Sequence, residues 1–176
     1  MMGLGTVSSK ALKWYAIYLR NRHEKTVDQR LKEKGFETYL PMIEEVRQYS
    51  DRRKKVLEPM FRGYLFVRTD LKNTSPILQT EGVVRFIGTK TRPSPIPDRE
   101  ISWIRIIELK PIDIKREPSI TTGERVRVNS GPLEGLEGIV ISVRGGMRVV
   151  LLVESIGQAL SVQVDPNAIK PIKGEA

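Results

Sequence analysis

The alternation of apolar and polar residues divides the chain into two parts with different textures. The densest apolar run of the first part contains Tyr64–Arg68, a continuous stretch of β-forming residues that predicts a strand buried on both faces at the centre of a sheet. Alternation places Leu65 and Val67 on one face and Tyr64 and Phe66 on the other. Two interpretations stay open at this point. Both faces belong to the core, or one of the two faces is a partly exposed apolar patch that docks a partner.

The remaining elements of the first part follow from the same periodicity and from its turn residues. They are a strand at Trp14–Leu19, a helix at Arg20–Lys34 with Asn21 as candidate cap and Gly35 as its end, a strand at Phe36–Leu40, a hairpin of Ile43–Tyr49 and Val56–Met60, a short helix opened by Asn73–Pro76, a strand at Val83–Ile87, and a helix at Arg99–Leu109 capped by Asp98. Ile101, Ile104 and Leu109 are expected to face the core. This order predicts an α+β domain over residues 13–110 after a flexible leader at residues 1–12.

The second part is richer in short alternating strands and tight turns. Residues 111–120 are proline-containing and charged, which indicates a linker. Strands are predicted at Glu124–Val128, Ile139–Val143, Arg148–Val153 and Leu160–Val164. Five short strands in about fifty residues predict a small all-β barrel over residues 121–173.

Charge is distributed unevenly along the 176 residues. Residues 1–110 contain 22 Lys/Arg and 13 Asp/Glu, a difference of +9, whereas residues 111–176 contain 8 of each. The front part therefore has an electrostatic attraction for nucleic-acid phosphates, or simply a basic, well-solvated surface. No cysteine is present, which excludes disulfides and thiolate metal sites. No apolar run approaches the roughly 20 residues of a membrane span, and residues 1–13 lack a signal-peptide core, so we expect a cytoplasmic protein without a membrane partner.

Residues that could support catalysis are sparse. His23 is the single histidine, and the only adjacent carboxylates, Glu44 and Glu45, lie on a predicted strand where neighbours face opposite ways. No glycine-rich phosphate loop is present. We expect a protein that is not an enzyme and uses no cofactor or metal.

Two motifs, in order and separated by the predicted linker, resemble a known family. Gly123–Val140, with the sequence GERVRVNSGPLEGLEGIV, looks like a KOW motif. Trp14–Tyr15 together with Pro59–Phe66, PMFRGYLF, resembles the N-terminal (NGN) domain of NusG-type transcription elongation factors. The resemblance implies an NGN-like sheet with flanking helices followed by a KOW (SH3-like) barrel. Trp14–Ile43 is most similar to specialised paralogues of the RfaH and UpxY types.

Such a resemblance implies that the N-terminal domain docks on the clamp helices of RNA polymerase through an apolar pocket. The matching positions are Tyr15, Phe61, Tyr64 and Phe66. Arg62 stands where the family usually has proline, which puts the local turn in question. A polar loop of the family contacts the polymerase gate loop, and the matching positions are Asn73, Thr74 and Ser75.

The family also places basic and polar side chains over the non-template DNA strand. The matching positions are Arg20, Arg22, His23 and Arg30, although a solvated helix face would account for the same charges. From the residues alone, the predicted hairpin tip is a further candidate, which contacts nucleic acid or merely keeps the hairpin soluble. Its four consecutive cations are Arg52, Arg53, Lys54 and Lys55.

KOW domains of general family members bind ribosomal protein S10 or the termination factor Rho through an apolar tip. That tip corresponds here to Ile156, Gly157 and Gln158, with Ile156 expected to be an exposed apolar contact, although a buried isoleucine is the commoner case. The family commonly has an aromatic residue and an arginine there, so this departure counts against Rho and leaves S10 open. Val149–Val153 favours strand so clearly that we expect no helical state of this domain.

These observations favour a transcription elongation or antitermination factor that bridges the polymerase clamp and gate loop, contacts non-template DNA, and suppresses pausing or termination. The alternative is a ribosomal or general RNA-binding KOW protein, which would co-sediment with ribosomes in the absence of polymerase. That alternative gives no reason for the aromatic strand at Tyr64–Arg68. A nucleic-acid-processing enzyme would need a carboxylate or histidine cluster that the sequence lacks.

Overall fold

The structure, a computed structural model, has a mixed α/β architecture of several sheets and few helices. It describes residues 12–72, 74–89, 92–110, 113–117, 123–143 and 146–172. The predicted leader therefore lies outside the described residues except for Leu12, as do Asn73 and the ends of the predicted linker. No helix in the described ranges is long and apolar enough to cross a membrane.

Thirteen strands and three α-helices make up the described fold. The strands are β1 (Lys13–Leu19), β2 (Glu37–Tyr39), β3 (Met42–Gln48), β4 (Arg53–Pro59), β5 (Tyr64–Thr69), β6 (Val83–Phe86), β7 (Pro95–Ile96), β8 (Ile114–Glu117), β9 (Glu124–Val128), β10 (Glu137–Val143), β11 (Gly146–Val153), β12 (Gln158–Val164) and β13 (Ile169–Pro171). The helices are α1 (Glu24–Glu33), α2 (Thr74–Leu78) and α3 (Asp98–Glu108).

These elements form two compact units. The first contains the chain up to Leu40 together with Gly63–Asp98, and the second contains Pro41–Arg62 together with the chain from Arg99 onward. The predicted consecutive domains, 13–110 and 121–173, divide the chain differently. Compactness does not show which segment folds independently, so that division stays a prediction.

The first unit is built on an antiparallel sheet with the strand order β2-β5-β1-β6, and β7 also pairs with β1. The predicted central strand at Tyr64–Arg68 is confirmed, since β5 lies inside the sheet and is buried on both faces. One face packs into an apolar core with the helices because its side chains alternate inward along β1 and β5. The core residues are Tyr15, Ile17, Leu19, Val27, Leu31, Leu65, Val67 and Ile77.

Helix α1 begins later than predicted. The backbone N–H of Arg20 donates to the carbonyl oxygen of Gly82 at 2.8 Å, and Arg22 has a positive φ of 63°, so the chain turns before it becomes helical. The prediction that Asn21 caps the helix is wrong, because His23 occupies the N-cap position and makes no side-chain capping bond. Gly35, with φ of 83°, ends the helix region as predicted.

The hairpin of the second unit has a shorter tip than the sequence indicated. Strands β3 and β4 pair from Met42 with Pro59 to Gln48 with Arg53. The turn is closed by the N–H of Tyr49, which donates to the carbonyl oxygen of Arg52 at 2.8 Å. Three of the four predicted tip cations therefore lie in a strand, because the cross-strand ladder continues to Arg53.

Helix α3 buries Ile101, Ile104 and Ile107, whereas Leu109 is 80% exposed. The expectation that Leu109 faces the core is wrong, because the buried stripe repeats every three residues and the helix ends at Glu108. The prediction of a linker throughout residues 111–120 is also wrong. Residues Ile114–Glu117 form β8, which pairs with β12 and thereby satisfies its backbone groups in a sheet.

A six-stranded antiparallel sheet with the order β13-β9-β10-β11-β12-β8 occupies the rest of the second unit. The four predicted strands of this region are confirmed, each within two residues at its ends. Among the described residues, no ladder joins β13 to β8, so the path of paired strands is open. Closure into a KOW barrel stays a prediction.

Candidate functional site

Three side chains lie in one row across the sheet of the first unit. Tyr18 of β1 is paired with Tyr64 of β5 on one side and with Arg85 of β6 on the other. The Tyr18 and Tyr64 ring centroids are 5.5 Å apart, and Cζ of Arg85 lies 5.8 Å from the centre of the Tyr18 ring. Tyr18 is 39% exposed. We call this group the Tyr18 row; it offers aromatic faces and a cation to a ligand.

The start of β5 is held in place by a buried carboxylate. Glu24, the first residue of α1, is buried and accepts a hydrogen bond from the N–H of Gly63 at 2.7 Å. The carbonyl oxygen of Gly63 accepts from the N–H of Leu19 at 2.8 Å. Gly63 has φ of 81°, and a Cβ there would lie 3.3 Å from the Tyr18 ring. Glycine at this position therefore allows Tyr18 to pack closely beside the start of β5.

Trp14, Tyr39 and Phe66 lie further along the same face of the sheet, where Trp14 and Phe66 are buried and Tyr39 is half-buried. Tyr39 stacks on Phe66 with centroids 6.1 Å apart, and Trp14 meets Tyr39 edge-on at 6.5 Å. Phe66 and Phe61 are 1% and 2% exposed. Of the aromatic positions predicted to bind polymerase, Tyr64 thus presents partial surface, whereas Tyr15, Phe61 and Phe66 are buried; their binding role stays a prediction.

Tyr15 lies on the opposite face of the same sheet. Its ring meets Phe86 edge-on with centroids 6.1 Å apart. Burial, followed by the neighbouring charge of Asp70, raises the pKa of the Tyr15 hydroxyl. The phenol is therefore neutral at physiological pH and acts as part of the core.

The cations next to β1 differ in their pairing. Arg20 and Arg22 are exposed, and the described residues provide no ion pair for either. His23 places Nδ1 3.0 Å from the carbonyl oxygen of Asn21. Arg30 is already occupied, because its Nη1 lies 3.1 Å from a carboxylate oxygen of Glu81 and also donates to the Glu81 carbonyl oxygen. Arg20 and Arg22 are therefore the cations most available to an anionic ligand.

The cations of the hairpin are partly compensated by neighbouring polar groups. Lys55 pairs with Glu44 at 3.1 Å, and Nε of Arg53 donates to Gln48 at 2.9 Å. Arg52 lies 3.9 Å from Asp51. Within the described ranges Lys54 has no carboxylate partner. Nucleic-acid binding by this hairpin stays a prediction.

The two remaining predicted contact regions are the polar residues at the start of α2, of which Asn73 lies outside the described residues, and the tip around Ile156. Thr74 begins α2, and Oγ of Ser75 accepts a hydrogen bond from Gln79 at 3.3 Å. In the second unit, Ile156 is 7% exposed, so the expectation of an exposed apolar contact is wrong. Ile156 ends a short 3₁₀ turn that folds its side chain inward, while Gly157 has φ of 62° and Gln158 starts β12. Partner binding at these positions stays a prediction.

Sequence reasoning missed Tyr18 and Arg85. Period-two alternation from Trp14 indicates the face on which Tyr18 lies, but only the strand register shows that Tyr64 and Arg85 flank it. Within the described residues, no group of three or more His, Asp or Glu side chains could hold a metal ion. The row combines two aromatic rings with one cation, an arrangement suited to binding a ligand.

Comparison with known proteins identifies similar chains. Residues 12–105 match the family model described as "Transcription termination factor nusG". A "Transcription termination/antitermination protein NusG" from Borreliella burgdorferi is 27% identical over 186 residues, covering 90% of this chain and 98% of that protein. The protein of that name from Staphylococcus epidermidis is 26% identical over 180 residues, covering 92% and 97%. A solved structure titled "Domain interaction in Thermotoga maritima NusG" has a similar fold, with a TM-score of 0.56 and 19% identity over 93% of this chain and 98% of that one.

Proposed function

This chain belongs to the NusG family of transcription factors, and from that premise we propose that it is a transcription elongation and antitermination factor. In this proposal it is a specialised paralogue that binds the clamp helices and gate loop of RNA polymerase and the non-template DNA strand. Binding of this kind suppresses pausing or termination.

The observation that carries the proposal is the partly exposed Tyr18 row at the end of an otherwise buried aromatic face. Tyr18 and Tyr64 offer apolar ring surface, and Arg85 supplies a cation on the same row. Aromatic and arginine side chains contribute much of the energy of protein interfaces. Tyr64 thus keeps the polymerase-docking role assigned to it, Tyr18 joins it, and Phe66, two residues further along the same face of β5, is buried.

The DNA-binding part of the proposal rests on Arg20 and Arg22, which follow Tyr18 directly in the chain and carry no ion pair within the described residues. Exposed cations beside aromatic rings suit a single-stranded nucleic acid, where phosphates meet charge and bases stack. Arg30 contributes less, because Glu81 already neutralises it.

The action itself requires only binding. A factor that binds the closed clamp more tightly than the open clamp shifts the equilibrium by the difference in its two affinities. NusG-family transcription factors are not enzymes, and we propose that this chain likewise works in the cytoplasm without catalysis or a cofactor. Its six-stranded sheet is proposed to fold as a KOW domain that binds ribosomal protein S10 rather than Rho.

The test uses a reconstituted, paused elongation complex. The wild-type chain should bind the complex and shorten the pause, and the Tyr18→Ala/Tyr64→Ala variant should bind more weakly while keeping its fold by circular dichroism. Lys110→Ala, a matched exposed substitution in the other unit, should leave both readouts unchanged. If the chain co-sediments with ribosomes but has no affinity for the elongation complex, the ribosomal alternative replaces the proposal.

A further inference from the structure

A groove in the first unit lies between α2, β6 and the segment that follows β6. It has a volume of about 410 Å³ and is lined by Leu71, Leu78, Arg85, Phe86 and Arg92, among others. We call it the α2–β6 groove. Its position beside the Tyr18 row gives it one residue in common with that row, Arg85.

Two leucines expose apolar surface to this groove. Leu71 is 45% exposed and Leu78 is 44% exposed. Leu78 faces outward because α2 is short and its preceding residue, Ile77, is fully buried in the core. A single exposed leucine is ordinary on a protein surface, but two that line one concave groove with the half-buried Phe86 form a continuous apolar floor.

Positive charge lines the same groove without compensation. Arg85 and Arg92 are among the lining residues, with the Arg85 guanidinium lying over the Tyr18 ring, and no Asp or Glu is among them. Neither arginine has an ion pair with a carboxylate of the described chain. A ligand that buries apolar side chains in this groove would therefore bring any acidic side chains next to them close to the two arginines.

The backbone that carries Arg92 is fixed by local hydrogen bonds. The N–H of Arg92 donates to Oγ1 of Thr89 at 3.3 Å, and that hydroxyl donates to the Arg92 carbonyl oxygen at 3.3 Å. The N–H of Ser94 donates to the carbonyl oxygen of Ile87 at 3.0 Å. These bonds involve the backbone of Arg92, so its side chain can be exchanged without disturbing them.

We propose that the α2–β6 groove binds an acidic amphipathic segment of a partner protein, with apolar side chains on Leu71 and Leu78 and carboxylates on Arg85 and Arg92. A floor of two exposed leucines and one half-buried phenylalanine favours a peptide over nucleic acid, because bases bind single-strand grooves by stacking on exposed aromatic faces. The net charge of +9 disfavours a second copy of this chain as occupant. The groove shares Thr74 with the proposed gate-loop contact and Arg85 with the Tyr18 row, but the inference goes beyond the proposed function because it requires neither polymerase nor DNA.

The test measures the fluorescence anisotropy of a labelled synthetic peptide of about 14 residues with leucines at helical i, i+3 and i+7 spacing and glutamates elsewhere, titrated with the full chain. Two control peptides replace the leucines by serine or the glutamates by lysine. The acidic amphipathic peptide should bind, and both controls should bind at least about tenfold more weakly, because each lacks one half of the recognition.

Variants then locate the binding. The Arg92→Glu and Leu78→Ser substitutions should each weaken binding of the acidic peptide by about five- to tenfold. Arg125→Glu and Leu109→Ser, matched substitutions at exposed positions of the other unit, should leave it unchanged. Arg20→Ala/Arg22→Ala should also leave it unchanged, which separates this site from the proposed DNA contact.

Three results would overturn the inference. The first is affinity for the acidic peptide that Arg92→Glu and Leu78→Ser do not alter. The second is tighter binding of an oligothymidine probe than of the peptide with the same dependence on Arg92, which would make the groove a nucleic-acid site. The third is concentration-dependent dimerisation lost in Leu78→Ser, which would make the occupant a second copy.

Discussion

Arg116 of β8 binds the end of β4, where its Nε donates to the carbonyl oxygen of Met60 at 3.0 Å. The same guanidinium donates to the carbonyl oxygen of Pro59 at 2.6 Å and forms an ion pair with Glu45. Burial lowers the pKa of Arg116, but the carboxylate and the two carbonyls keep the guanidinium charged. One side chain therefore connects the hairpin to the edge of the six-stranded sheet within the second unit.

Replacement of Arg116 by alanine should destabilise the second unit by about 2–4 kcal/mol, because it leaves two carbonyls without this donor and leaves Glu45 with Arg62 as its remaining cation. Lysine at position 116 should restore little of the lost stability, since a single ammonium group cannot reproduce the planar set of N–H donors of a guanidinium. Urea unfolding followed by circular dichroism measures the change. Lys115→Ala, at the exposed neighbouring position, serves as the control. An unchanged midpoint in Arg116→Ala would show that water replaces the lost contacts.

Alanine substitutions at Phe66 and Tyr64 should affect different properties, stability in the first case and polymerase binding in the second. Phe66→Ala should cost about 3–5 kcal/mol of stability, because it empties a buried site next to Tyr39. Tyr64→Ala should cost less and should weaken binding to an elongation complex, because Tyr64 is only half-buried. Thermal unfolding and a binding titration on the same preparations test both. A folded Tyr64→Ala variant with normal affinity would contradict the docking role.

Arg20 and Arg22 should contribute a salt-dependent attraction to single-stranded DNA. Removal of both should lower the slope of log affinity against log salt by about 1.4, at about 0.7 for each phosphate contact. Arg30→Ala should change the slope less, since Arg30 is paired with Glu81. Titrations of an oligonucleotide at several salt concentrations give the slopes. Equal slopes for wild type and the double variant would identify the two arginines as a solvated surface.

Glu100 of α3 should make stability depend on pH. Its Oε2 is buried without a hydrogen-bond partner in the described part of the chain. Burial, and secondly the charge of Glu154, raise the pKa of Glu100, while Arg99 opposes them. Because the pKa of Glu100 is raised in the folded state, protonation of this carboxylate stabilises the fold. That stabilisation is complete below the ordinary glutamate pKa and is lost as the pH rises through the raised pKa.

The Glu100→Gln variant should therefore be more stable than the wild type at neutral pH. Its stability should also decrease less than that of the wild type as the pH rises above the ordinary glutamate pKa. Urea midpoints measured across the pH range for both proteins give the difference. Glu134→Gln, at an exposed position of the same unit, controls for the loss of one charge. Parallel profiles for wild type and Glu100→Gln would contradict the prediction.

The presence of β8 and Asp113 should increase the stability of the six-stranded sheet when it is made as a separate fragment. Arg148 is buried, and its charge is met by Asp113, whose Oδ2 lies 2.7 Å from Nη1. A fragment of residues 113–176 should therefore be more stable than one of residues 119–176, which lacks Asp113 and β8. Both should give β-type circular dichroism spectra, bind S10 rather than RNA at physiological salt, and differ in their urea midpoints.

A helical spectrum of the longer fragment would contradict the prediction of an independent β domain. Micromolar RNA binding by either fragment would support the ribosomal alternative. Equal midpoints would show that β8 and Asp113 add nothing to the folding of the sheet.

The local pattern of the sequence determined the elements. A continuous run of β-forming residues located β5, period-two alternation located the four strands between residues 124 and 164, and the apolar pair Val27 and Leu31 located α1. These predictions succeed because side-chain periodicity depends on neighbouring residues alone. The family also followed from local motifs, since Pro59–Phe66 and Gly123–Val140 are continuous in the chain.

Tertiary structure alone decided the pairing of distant residues and the exposure of each candidate. The register of β1 with β5 and β6 assembles the Tyr18 row, which no single segment contains. Residues 114–117 read as a linker because four residues are too few to show a period, and pairing with β12 makes them a strand. Burial of Phe66 and Ile156 depends on the side chains packed over them, and that packing is a property of the whole fold rather than of any local pattern.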